Sequence, residues 1–82
     1  MIKVLFFAKL RETLGCGELT LEPGIADTSE TLRQRLIADN PAWREALSDE
    51  QLLVAVNQNL CTEEQPVNDG DELAFFPPVT GG

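Results

Sequence analysis

A chain of 82 residues can build one small domain with a modest core, and its 43% hydrophobic share excludes an intrinsically disordered chain. Its net charge of −8, from 14 acidic against 6 basic residues, argues against nucleic acid or an anionic membrane as partner and suits a protein with a basic surface. The absence of histidine excludes a Ser-His or Cys-His dyad, and the isolated Cys16 and Cys61 have neither metal-ligand nor redox spacing.

"IKVLFFA", Ile2 to Ala8, is rich in strand formers and reads as a first strand, not a signal peptide. "KLRETLG" places Leu10 and Leu14 four apart before Gly15, the pattern of a short helix with a glycine stop. "ELTLE", Glu18 to Glu22, alternates polar and apolar and pairs back on the first strand; Pro23 and Gly24 then turn the chain. The main helix follows. Asp27 with Glu30 has capping-box spacing, and Thr28 is an equally good cap. Leu32 and Leu36 share its apolar face, with Arg33, Gln34 and Arg35 towards water. Asn40-Pro41 stops this helix and starts a second short one, on which Trp43, Ala46 and Leu47 share a face.

"LLVAVN", Leu52 to Asn57, is a third strand; "NQN" is a tight turn and "LCT" a brief return strand. A turn at Asn68 to Gly70 leads into the last strand, Glu72 to Phe76. The order predicts an α+β fold, a mixed sheet of about five strands packed on one main helix with a second short helix. Residues 1–76 form the domain and residues 77–82 an extended, mobile tail. No apolar run is long enough to span a bilayer, and two lone thiols fit the cytoplasm.

Strand alternation sorts the aromatic rings. Ile2, Val4, Phe6, Leu73 and Phe75 point to the core; Lys3, Leu5, Phe7, Glu72, Ala74 and Phe76 point away from it. If the first and last strands are neighbours, Leu5, Phe7 and Phe76 form an apolar patch on the open face, with Leu60 as a further member. Such a patch on a small domain marks a protein interface.

The chain closes on "FFPPVTGG". Pro77 and Pro78 cannot donate to a sheet ladder, so pairing ends there. Gly81 and Gly82 lack a Cβ and fit a narrow channel. The arrangement presents a terminal carboxylate to another protein's active site. A carboxylate resists nucleophiles until its oxygen becomes a leaving group; adenylation by ATP achieves this, and sulfur or an amine then adds.

"VLFFAKLRETLG", "LLVAVNQ" and "DGDELAFFPPVTGG" together resemble the family of small sulfur-carrier subunits of molybdopterin synthase, over nearly the whole chain. The resemblance implies a β-grasp, ubiquitin-like fold. It implies that Gly82 is adenylated by a partner resembling the ubiquitin-activating enzyme, then converted to a thiocarboxylate with sulfur from a donor system. Pro78, Val79, Thr80 and Gly81 would thread the tail into the large synthase subunit, in a heterotetramer. There the sulfur passes to cyclic pyranopterin monophosphate to make molybdopterin. Phe7, Arg11, Leu60 and Phe76 match the family's interface residues. No cofactor or metal is bound by this chain; ATP is used by the adenylating partner. The rival readings are a carrier for another pathway, such as thiamine thiazole synthesis, and a modifier conjugated through Gly82 to lysines.

Overall fold

Alternation in strand β1 (Ile2–Phe6) sets the architecture: Ile2, Val4 and Phe6 are fully buried, and Lys3 between them is exposed. The structure, a computed structural model, is described for residues 1–24, 27–61 and 63–77. Helix α1 (Ala8–Leu14) and strand β2 (Glu18–Leu21) follow, then helix α2 (Ser29–Asp39). A 3-10 turn (Pro41–Trp43) leads directly into helix α3 (Arg44–Leu47). Strands β3 (Leu53–Val56), β4 (Asn59–Cys61) and β5 (Glu72–Phe76) complete a five-stranded sheet in the order β2-β1-β5-β3-β4. The central pair, β1 and β5, is parallel, and every other pairing is antiparallel. This is the mixed sheet and helix arrangement of the β-grasp.

The helices supply the rest of the core. Leu10 and Leu14 of α1, Leu32, Leu36 and Ile37 of α2, and Leu47 of α3 pack on the inner sheet face with Leu73 and Phe75. Phe6 stands between two rings, edge-on to Trp43 at 5.5 Å and stacked on Phe75 at 6.0 Å. Gly15 ends α1 in the left-handed region, φ 68°, where its N–H reaches the Arg11 carbonyl.

The cap of α2 is Thr28, not Asp27. Its hydroxyl accepts from the Thr31 N–H at 3.2 Å, and the Thr31 hydroxyl accepts from the Thr28 N–H at 2.8 Å. Glu30 is therefore not the capping-box partner and pairs with Arg33, which donates from Nε at 2.8 Å. Arg33 does not face open water as its helix position predicts. Half-buried, it also donates to the Leu47 carbonyl at 3.2 Å and so ties α2 to α3. Its guanidinium holds the Glu30 carboxyl below the usual carboxylate range.

A link absent from the sequence patterns joins residues 65–67 to the start of α2. Ser29 N–H donates to the Gln65 carbonyl at 2.8 Å, and Val67 N–H to the Asp27 carbonyl at 2.9 Å. The buried Ser29 hydroxyl accepts from Gln65 N–H, and Val67 enters the core.

β3 and β4 meet in a two-residue turn with both central residues left-handed, Asn57 at φ 51° and Gln58 at φ 70°. The Asn57 side chain donates to Asp71 at 3.1 Å and accepts from Glu72 N–H, which anchors the turn to β5. The Asn68 N–H and this amide lower the Asp71 carboxyl below its ordinary value. Asparagine tolerates the left-handed region; glutamine does so at a cost. Gln58→Gly is expected to raise stability by about 0.5–1 kcal/mol, a gain of a few degrees in thermal midpoint. A midpoint that falls on this substitution would show that the turn is not of this type.

Candidate functional site: the open face of the sheet

The register brings outward side chains of four strands into rows. Leu5 lies opposite Ala74, Ala74 opposite Ala55, and Ala55 opposite Leu60. Phe76 lies opposite Leu53. Phe7 continues the β1 register by one residue, its N–H donating to the Phe75 carbonyl at 3.2 Å, which sets it beside Phe76. No described helix packs on this face; the helical core cluster draws only inward-facing sheet residues. Phe7 is 47% exposed and Leu60 60% exposed, while Phe76 and Leu53 are half-buried by their neighbours. Ala55 is 8% exposed although it is not in the core cluster, because Ala74 and Leu60 flank it on the outer face.

The sheet thus joins Phe7 and Phe76 directly. Leu60 stands two strands away from Phe76, and Leu53 and Ala55 fill the interval. Those two β3 residues were not singled out from the sequence. Counting back by twos from the polar Asn57 would have placed both outward, but only the pairing of β3 with β5 puts them in the patch.

The corner after Phe7 is strained. Phe7 is extended, φ −118° and ψ 160°, and Ala8 follows at φ 55°, a left-handed value that is costly for a residue with a Cβ. The reversal lets α1 begin without a linker. It lowers Leu10 and Leu14 into the core and leaves Arg11 exposed, one helical turn past Phe7. Among the described residues Arg11 makes no ion pair.

β5 ends at Phe76 beside Phe7, and Pro77 follows it. The sequence-predicted tail residues Pro78, Val79, Thr80, Gly81 and Gly82 lie outside the described residues. Cys16 and Cys61 are half-buried free thiols that point to the carbonyls of Glu18 and Asn59. Among the described residues no helix is long and apolar enough to cross a membrane.

Residues 4–82 match the model of the ThiS family. The chain is 52% identical over 82 residues to the molybdopterin synthase sulfur carrier subunit of Escherichia coli K12, covering all of both chains. It is 49% identical to the subunit of the same name from Haemophilus influenzae, again over the full length of both. Among solved structures, SAMP1 from Haloferax volcanii superposes with a TM-score of 0.81 at 26% identity, over 99% of this chain and 98% of that one.

Proposed function

Because the chain belongs to the ThiS family, we propose that it is the sulfur carrier subunit of a molybdopterin synthase. The observation that carries this reading is the 52% identity over the full length of the E. coli subunit of that name. The alignment spans both the open-face residues and the terminal Gly-Gly of the sequence.

In this reading the chain is not a catalyst by itself. An adenylating partner, similar to the ubiquitin-activating enzyme, binds it and ATP. The Gly82 carboxylate attacks the α-phosphorus and expels pyrophosphate, giving an acyl-adenylate. A sulfur nucleophile from a donor system then displaces AMP, leaving a thiocarboxylate on Gly82. The sheet face built on Phe7, Leu53, Phe76 and Leu60, with Arg11 at its corner, docks first the adenylating partner and then the large synthase subunit. Residues 78–81 carry the terminal sulfur into the large subunit's site, where it passes to cyclic pyranopterin monophosphate. Two carriers and two large subunits form a heterotetramer, in the cytoplasm. The apolar face suits this cycle: it supplies a desolvated anchor without any catalytic side chain, and the net charge of −8 favours encounter with basic partners.

Intact mass spectrometry of the protein purified from its own cells tests the proposal. A fraction with one oxygen replaced by sulfur, mapped to Gly82, is the expected result. Finding only the free carboxylate in cells actively making molybdopterin overturns it, and lysine-linked conjugates through Gly82 would favour a protein modifier instead.

A further inference from the structure

We infer that Gly17 is a positioning residue for partner docking: its missing side chain is the space in which the Arg11 guanidinium rests. The inference builds on the proposed docking role of the open face. The four described glycines divide into two kinds. Gly15, Gly24 and Gly70 sit at φ 68°, 90° and 91° with nothing within 4 Å of the place a Cβ would take, so their backbone dihedral explains them. Gly17 is the reverse. Its φ lies outside the left-handed region, and a Cβ there would lie 2.8 Å from Arg11 Nε, 3.2 Å from Cζ and 3.3 Å from Cδ. At this position the missing Cβ leaves room for a side-chain neighbour and does not serve a turn.

Neither backbone is free to relieve that contact. The Gly17 carbonyl accepts from Phe6 N–H at 3.0 Å, which continues the pairing of β1 with β2. The Arg11 carbonyl accepts from Gly15 N–H at 3.0 Å and Cys16 N–H at 3.3 Å, which fixes the end of α1. Phe6 and Leu10, the neighbours of Phe7 and Arg11 in sequence, are both buried. The one group able to move is the exposed Arg11 side chain. Laid over Gly17, it rests beside the start of β2 before any partner arrives. An added methyl would turn it off this seat and leave the fold intact. A pre-positioned arginine loses less side-chain freedom on binding than one that searches its rotamers.

The experiment measures affinity for the purified large subunit, using the full chain as parent, Gly17→Ala, Arg11→Ala, the double variant and Phe76→Ala. Gly17→Ala is expected to weaken binding about threefold to tenfold, as Arg11→Ala does, and the double variant no further, since both remove one interaction. Its thermal midpoint should not fall, and Gly17→Ser, with the same Cβ, should bind equally weakly. Phe76→Ala reports on the underlying reading: parental affinity there would remove the face as the docking surface. If Phe76→Ala and Arg11→Ala are weakened while Gly17→Ala binds as the parent does, the inference about Gly17 fails alone. Additive losses in the double variant also overturn it, because Gly17 would then act by some route other than Arg11.

Discussion

Phe75→Ala is expected to destabilise the domain by about 3–5 kcal/mol, whereas Phe76→Ala, one residue along, costs about 1 kcal/mol. Phe75 is fully buried, stacks on Phe6 at 6.0 Å and belongs to the core cluster that residues of all three α-helices join, so its removal leaves a cavity in the core. Small domains are stable by about 5–15 kcal/mol in total, and an 82-residue chain has little to spare. Phe76 points to the open face and keeps part of its ring in water in the free protein. Its loss is expected in binding instead. An aromatic anchor between Phe7 and Leu53, covered on docking, is worth about 2 kcal/mol or more, roughly thirtyfold in affinity for the large subunit. Chemical denaturation of both variants, with a binding titration, separates the two roles. A Phe76→Ala variant that unfolds as readily as Phe75→Ala would mean that the ring is structural and that the face assignment is wrong.

Removing Gly82, or adding one residue after it, is expected to abolish sulfur transfer with no measurable change in stability. Gly82 follows the last strand by six residues and has no side chain to bury, so folding should not notice the change. Transfer depends on a near-attack geometry in which a displacement of about 1 Å can cost roughly a hundredfold. One extended residue moves the terminal group by about 3.3–3.6 Å. Thiocarboxylate formation and molybdopterin production should be assayed separately, with chemically prepared thiocarboxylate supplied in the second assay. That division tells failure at the adenylating step from failure at transfer. An extended chain that still makes molybdopterin, in the absence of any protease able to trim it, excludes Gly82 as the sulfur-bearing residue.

Much of the fold was legible because local signals agreed with the final environment. The "FF" pairs show this best. Each is a strand dipeptide flanked by a residue that must face water, Lys3 in one case and Glu72 in the other, and a two-residue period leaves no choice of side. The glycine stop after Leu14 and the break at Asn40-Pro41 were readable for the same reason, since φ-permissive and φ-restricted residues act locally. Arg33 was misread because helix position alone says nothing about a carbonyl presented by another helix, that of Leu47. The cap stayed open between Asp27 and Thr28 in the sequence because two adjacent residues of similar propensity are decided by the one whose hydroxyl meets the N–H of Thr31.

The residues alone gave away the faces of the first and last strands, the burial of Phe6 and Phe75, the lack of a histidine for a catalytic dyad and the family to which the terminal motif points. These depend on side-chain chemistry and on periods of two to four residues, which the chain carries wherever it is placed. It took the tertiary structure to insert β5 between β1 and β3, parallel to β1 across about 70 positions of sequence and antiparallel to β3 across about 20, pairings that no local pattern encodes. That insertion brings Leu53 and Ala55 into the patch and joins Leu60 to Phe76. It was likewise the tertiary structure that laid the exposed Arg11 side chain over the half-buried Gly17, because nothing local marks the two as neighbours until β1, β2 and α1 are packed together.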